Sequence, residues 1–275
     1  MFNEHSLDTL CAALAYAMGV EPPKEAAPAN PTLVKYIDEK LQGKKVDRIF
    51  MYNPDAVGQW VYEKYPHYTL EICQDTELEL PLRTVMPSVT PVCFGTMYTG
   101  AQPAVHGIRK YEKPVITIDS LFDAMIRAGK KCVIISNINC SLNHIFRERD
   151  MDYIAVEKHY DINAAAAKVI WEDKYDFIVC YNGNYDYWQH RFGPESPEAL
   201  AELKFNSLTA TTFSRMIREN WTGHNTLFGF AMDHGSHEVP AFEKRPGTIY
   251  RGTHGDEIPE DINICHRYQI IPATK

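Results

Sequence analysis

The sequence predicts an α/β protein, a three-layer αβα sandwich built on a mostly parallel central sheet. Two observations carry this. Short apolar runs alternate along the chain with segments of helical periodicity, and several of those runs end abruptly in acidic or imidazole side chains. The alternation implies helices on both faces of the sheet. In such sheets ligands collect beyond the carboxyl ends of the strands, where loops converge and helix N-termini direct their dipoles.

In chain order, Ser6 is placed to cap a first helix, LDTLCAALAYAM, which Gly19 stops before the proline-rich connector EPPKEAAPANP. Asn30 and Pro31 start a second helix ending near Gly43, so residues 1–43 form a helical N-terminal segment. Strand RIFMYN and a short helix near Gln59 to Lys64 follow. Helix SLFDAMIRAG leads into strand KKCVIIS, and strand YIAVE into helix INAAAAKVIWED. Strand YDFIVCYN, the long helix PEALAELKFNSLTATTFSRMIREN and strand NTLFGFAM complete the rhythm. Residues 137–160, richer in polar and aromatic side chains, read as a small segment able to cover a cleft. No internal repeat or low-complexity tract divides the chain, so residues 1–275 are read as one domain.

Composition excludes several classes. A chain of 275 residues with 45% hydrophobic content can bury a large core. No window approaches the length of an apolar membrane span, and MFNEHSLDTLCAALAYAMGV lacks the basic head and cleavage site of a secretory signal. A cytoplasmic protein with no membrane association is expected. The net charge of −8 offers no broad basic surface to a nucleic-acid polymer. Seven scattered cysteines, never in a CxxC pair, point to reduced buried thiols rather than disulfides or a cysteine zinc site. Nothing in the sequence fixes an oligomeric state.

The chemistry lies at the strand ends. RIFMYN runs into Asp55, YDFIVCYN into Asp186 and, four residues on, His190, and NTLFGFAM into Asp233 and His234. His254, in YRGTHGDEIP, lies in the loop beyond. In MPSVTPVCFGTMYTG, Pro91 favours a helix start and places Thr90 at the N-cap, its hydroxyl at the positive end of the helix dipole and suited to attack phosphorus. Asp55, Thr90, Asp186, His190, Asp233, His234 and His254 supply three carboxylates, three imidazoles and a hydroxyl. Mixed nitrogen and oxygen ligands without thiolate suit zinc, with manganese or iron as alternatives, and seven ligands suit two divalent ions better than one tetrahedral ion.

These residues resemble the alkaline phosphatase superfamily, and most of all its type I phosphodiesterase/nucleotide pyrophosphatase branch. The motifs are PSVTPVCFGTMYTGAQPAVHGI (Pro87 to Ile108), DYWQHRFGPES (Asp186 to Ser196), MDHG (Met232 to Gly235) and THG (Thr253 to Gly255). They occur in the family's order, with PDAVG around Asp55 as a weaker first motif. The resemblance implies that Asp55, Thr90, Asp233 and His234 hold one ion and Asp186, His190 and His254 the other. It further implies that Thr90 is the nucleophile and forms a phosphothreonine intermediate. The implied activity is that of a two-metal phosphoryl hydrolase, a phosphodiesterase or nucleotide pyrophosphatase acting on a small phosphate ester. A phosphomonoesterase or phosphonate hydrolase on the same core is the alternative. From a different class, the alternative is a non-catalytic metal-containing protein that binds a phosphorylated ligand.

Two departures from the pattern bear on substrate. By spacing from Thr90, the position of the branch's phosphate-binding asparagine is Tyr111, flanked by Arg109 and Lys110, and these three become the candidates for holding phosphate oxygens. Pro91 also lacks the N–H that relatives can offer. His237 is read as a partner orienting His234, and His106 as a packing residue. Cys93 is followed by FGTM rather than by the proline and arginine of a sulfatase motif.

Overall fold

Every residue of Arg48–Pro54 is buried, the pattern of a strand covered on both faces, and this strand, β1, lies at the centre of the main sheet. The protein is described here by a computed structural model covering residues 1–274, without the side chain of His159. After β1 come β2 (Leu78–Arg83), β3 (Cys132–Asn137), β4 (Asp152–Val156), β5 (Phe177–Asn182) and β6 (Thr226–Phe230). A hairpin of β7 (His237–Arg245) and β8 (Thr248–Thr253) precedes the last strand, β9 (Asn263–Ile271). The main sheet has the order β2-β9-β6-β1-β5-β3-β4, while β7 and β8 pair only with each other. Within the main sheet only β9 runs against its neighbours, β6 and β2, and the remaining pairs are parallel. This is the mostly parallel three-layer sandwich that the sequence rhythm predicts.

The two faces of β1 show how the layers are held. Phe50 and Tyr52 stack on their cross-strand partners Phe228 and Phe230 at centroid distances of 5.8 and 6.0 Å. Both also meet Phe213 of the long helix Pro197–Asn220, at 5.7 and 5.9 Å. On the opposite face Tyr98, in the helix Thr90–Thr99, donates to Asn53 Oδ1 at 2.8 Å and packs on Phe122 at 5.3 Å. Truncating a ring such as Phe213 to alanine would cost about 3–5 kcal/mol.

The edges were less legible. β2 contains Pro81, tolerated because the strand lies at the sheet's edge, and only Leu80 and Leu82 point inward. Its free side meets the N-terminus: Leu7 N–H donates to the Arg83 carbonyl at 2.9 Å, and Arg83 N–H to that of His5 at 2.8 Å. That pairing removes Ser6 from the capping role read for it. The first helix runs Thr9–Met18, and Ser6 contributes only its carbonyl, to the Thr9 hydroxyl at 2.6 Å. Asn30 does cap the second helix, Pro31–Leu41, its side chain accepting from Thr32 and Leu33 N–H. Within residues 137–160 a short helix, Ser141–Ile145, is followed by β4, which pairs with β3 at the edge of the main sheet. All seven cysteines are free, and all but Cys73 are buried. Among the described residues no helix is long and apolar enough to cross a membrane.

Candidate metal centre

β6, β1 and β5 are neighbours, with Tyr52 opposite Phe230 and Pro54 opposite Asn182, so their carboxyl ends lie side by side. Asp55 follows β1 directly and its N–H donates to the Asn182 carbonyl at 3.0 Å. Ala56 takes φ +63°, a left-handed conformation unfavourable for alanine, and its N–H donates to Asp233 Oδ1 at 3.2 Å. Beyond β6, the loop of Asp233 and His234 turns at Gly235. A Cβ there would lie 2.0 Å from the Glu260 carbonyl oxygen, so no larger residue fits. After β5, the helix Asn184–Phe192 carries Asp186 and His190 four residues apart, on one face. Thr90 is the first residue of its helix, one position later than the cap read from the sequence, because Val89 is the extended residue before it.

These side chains meet in two adjoining groups, Asp55 with Asp233 and His234, and Asp186 with His190 and His254; within each, the potential ligand atoms lie within 4.8 Å of one another. His234 Nε2 is 3.4 Å from Asp55 Oδ1 and 3.3 Å from Asp233 Oδ2. Thr90 Oγ1 stands beside this group, 3.4 Å from Asp55 Oδ2 and 3.3 Å from His234 Nε2. In the second group Asp186 Oδ1 is 3.3 Å from His190 Nε2 and 3.4 Å from His254 Nε2. The rings of His234 and His254 stack at 4.1 Å and join the two groups.

All three imidazoles are oriented alike. Nδ1 lies 2.9 Å from a backbone carbonyl in each, that of Gly252 for His190, Gly235 for His234 and Ser88 for His254. A carbonyl can only accept, so Nδ1 carries a proton and Nε2 faces the carboxylates. Asp55 Oδ1 and Asp233 Oδ2 are buried with no hydrogen-bond donor. Such atoms are costly unless a cation meets them, and this donor set of carboxylate oxygens and imidazole nitrogens fits a divalent ion in each group.

The protonation energetics agree. Burial, and then the charges of Asp233 and Asp186, push the Asp55 carboxyl well above its ordinary range. Burial likewise pushes Asp233 up to about 8, and holds His234 well below its usual value, with His254 adding to the effect. Asp186 behaves oppositely: burial raises it, but His190 and His254 together bring it below the usual carboxylate range. Its partner His254 is lowered by burial yet raised overall to about 9 by Asp186.

The other residues singled out from the sequence lie elsewhere. His237 does not touch His234; its Nδ1 meets Asp261 Oδ1 at 2.7 Å. Its influence is indirect, because the Asp261 carbonyl accepts the Gly235 N–H at 2.8 Å. Arg109 donates to the Ala104 carbonyl and Lys110 pairs with Glu112, both exposed. Tyr111 is 61% exposed; burial raises its pKa, a hydrogen bond with Ser141 lowers it, and the charges of Asp55 and Asp186 raise it further. His106 is buried under the helix of Thr90, its ring 2.9 Å from where a Cβ on Gly95 would stand. Two participants escaped the sequence reading. Tyr181 donates a hydrogen bond to Asp55 Oδ2, and the hairpin β7–β8 brings Gly252 against Gln189 and His190. The signals were present, in the tyrosine closing strand β5 and the Pro-Gly turn at 246–247.

No protein-family model and no curated protein sequence matches the chain. Solved structures do. Human ectonucleotide pyrophosphatase/phosphodiesterase 5 superposes with a TM-score of 0.61 at 12% identity, over 81% of this chain and 87% of that one. The fold is alkaline-phosphatase-like. An inactive variant of the murine ectonucleotide pyrophosphatase/phosphodiesterase 5, in complex with AMP, gives 0.60 at 12% identity, over 80% and 87% of the two chains. Phosphonoacetate hydrolase from Sinorhizobium meliloti 1021, with phosphonoacetate bound, gives 0.53 at 15% identity, over 70% of this chain and 57% of that one.

Proposed function

We propose that the protein is a metal-dependent phosphoryl hydrolase that attacks small phosphate esters through Thr90, with phosphodiesters or nucleotide pyrophosphates as substrates. One observation carries this reading: a buried hydroxyl, 4% exposed at a helix start, stands within 3.4 Å of both a carboxylate and the Nε2 of His234. A structural threonine needs no such company, and a protein that only bound phosphate would need no hydroxyl there. The similar structures holding AMP and phosphonoacetate support the same substrate chemistry.

Two bound divalent cations, with zinc favoured by the donor set, would lower the hydroxyl pKa and neutralise the phosphoryl oxygens. Asp55, Asp233 and His234 would hold one beside Thr90, and Asp186, His190 and His254 the other. Thr90 Oγ1 gives up its proton to solvent water and forms the bond to phosphorus as the bond to the leaving oxygen breaks, the leaving group departing as an alkoxide or phosphate that water reprotonates. Water then cleaves the phosphothreonine and restores the hydroxyl. Tyr181, by donating to Asp55 Oδ2, fixes which carboxylate oxygen faces Thr90. Tyr111, whose pKa is raised by burial and by the charges of Asp55 and Asp186, is the chain's candidate donor to a phosphoryl oxygen.

Thr90→Ala tests the mechanism. Turnover of bis-p-nitrophenyl phosphate should fall by at least about 10³-fold with the fold retained by circular dichroism; unchanged turnover would reject the covalent route. The phosphonoacetate hydrolase likeness favours a second reading, a phosphomonoesterase or phosphonate hydrolase. A clear preference for p-nitrophenyl phosphate over the diester would select it.

A further inference from the structure

Beside the metal centre lies a cavity of about 310 Å³, with Asp186 and His190 in its wall. The hairpin β7–β8 closes its far side with Arg245, Thr248 and Tyr250, and the helix Asn184–Phe192 contributes Tyr187 and Arg191. We propose that this cavity is an anion-binding pocket for a second negatively charged group, a carboxylate or phosphate, on the part of the substrate that is not attacked. The inference rests on the hydrolase reading above and names the substrate class that reading leaves open.

Hairpin register explains how the pocket is built. Tyr250 pairs with Phe242 and Thr248 with Arg245, so Thr248 and Tyr250 share one face of β8 and Arg245 sits across from them. Between Glu243 and Arg245 the register shifts, two residues on β7 against one on β8, a bulge of the kind that re-aims a side chain. Two residues further along the same face, Gly252 lets the hairpin dock. A Cβ there would lie 2.3 Å from Gln189 Oε1 and 2.4 Å from the Gln189 carbonyl oxygen, so the strand seats directly on the helix that carries Asp186 and His190. Tyr250 stacks on His190 at 4.6 Å, tying the pocket wall to the centre.

Charge supplies the selectivity. The side chain of Arg245 makes no ion pair or hydrogen bond among the described residues, although acidic neighbours are present in the hairpin. Arg191 lies over the Tyr187 ring at 4.6 Å, and its side chain likewise makes no ion pair or hydrogen bond among the described residues. The sole carboxylate in the wall, Asp186, already faces two imidazoles. A guanidinium lacking a carboxylate partner, backed by a second guanidinium and a hydroxyl, is a fork for an oxyanion.

The test uses three p-nitrophenyl phosphodiesters that differ only in the second ester arm: propyl, 2-carboxyethyl and 2-phosphonoethyl. For the metal-loaded wild type, kcat/KM should be at least about tenfold higher for an anionic arm than for propyl, a charged hydrogen bond being worth that much. The order of the two anionic arms tells carboxylate from phosphate. In Arg245→Ala the anionic-to-propyl ratio should collapse toward unity, and Arg245→Lys should restore part of it. A role in hairpin stability alone would lower every arm equally and leave the ratio intact, which would overturn the proposal. Calorimetric binding of the same three compounds to Thr90→Ala is read independently of turnover. Arm-selective binding without hydrolysis by the wild type would sink the hydrolase reading and keep the pocket, whereas equal binding of all three arms would sink the pocket.

Discussion

The two carboxylate–imidazole groups differ in burial, charge and what they face. Asp55, Asp233 and His234 have side chains 0–2% exposed, whereas Asp186 and His190 are 20% and 17% exposed and open onto the Arg245 cavity. The closed group holds two carboxylates against one imidazole, the open group one carboxylate against two. Without a cation the closed group is therefore a site of stored repulsion and the open one of stored attraction, which is why Asp55 and Asp233 are pushed up and Asp186 is drawn down. On the proposed reading, Thr90 would act beside the repulsive, sealed group and substrate would enter by the attractive, open one.

Substitution at the two aspartates gives the largest effect and splits by sign. Asp55→Asn and Asp186→Asn should each lower turnover by about 10³-fold or more and release one ion per chain, measured by metal analysis. In metal-free protein at pH 8 they should diverge. Asp55→Asn replaces a carboxyl whose ionised form burial disfavours while keeping an acceptor for Tyr181, so it should raise the melting temperature. Asp186→Asn strips His254 of its counter-charge and should lower it, each by roughly 1–3 kcal/mol of stability. Shifts of the same sign would break the comparison.

Next in size are the two glycines that let backbone reach each group. Gly235→Ala drives a Cβ into the Glu260 carbonyl beneath the closed group, and Gly252→Ala drives one into Gln189 behind the open group. Each also disturbs the carbonyl that orients a histidine of the candidate centre, Gly235 its own for His234 and Gly252 its own for His190. Losses of about 10–100-fold in metal affinity are expected, each confined to one of the two ions in calorimetric titration.

The same geometry marks what could be read in advance. The acids at the strand ends were legible because β1, β5 and β6 are continuous apolar runs, and a parallel sheet must deliver the residue after each run to one edge. The helices of the long periodic segments were legible for the same local reason. Ser6, His237 and Arg245 were not, because tertiary pairing decides them. Ser6 is drawn to Arg83 across the sheet edge, His237 to Asp261 across a loop, and Arg245 is aimed by a bulge in a hairpin whose strands are mostly solvent-facing. β2 escaped notice through Pro81, which reads as a breaker until the strand is known to lie at an edge.

A smaller effect separates the groups by pH. Asp233, at about 8, and His254, raised to about 9, both bind protons more tightly folded than unfolded, where their ordinary values are 3.8 and 6.5. Each contribution is complete below the unfolded value and lost as pH rises through the folded one. Metal-free protein should thus lose stability between pH 6.5 and 8, by up to about 1.4 kcal/mol per pH unit for each group. Ligation by a divalent ion displaces those protons, so metal-loaded protein should show a flat or rising profile over the same range. Melting curves with and without chelator compare the two.

The smallest effect lies outside both groups and guards the pH test against misreading. His106 and His266 are each lowered by burial to about 4, from an ordinary 6.5. Their partners require the neutral ring. Ile108 N–H donates to His106 Nδ1, leaving Nε2–H for Thr96, while the Met232 carbonyl takes Nε2–H of His266 and leaves Nδ1 to accept from the Tyr268 hydroxyl. A second proton on either ring would face a donor. Because the folded value is depressed, their stability is present above pH 6.5 and lost as pH falls toward 4. The fully buried His266 contributes at most about 3 kcal/mol over that span. His266→Gln should flatten the acid limb between pH 6.5 and 4 while leaving the chelator-dependent slope above 6.5 unchanged. A change in the upper slope instead would mean that the core histidine and the metal centre titrate as one unit, and that the two groups alone do not set the pH response.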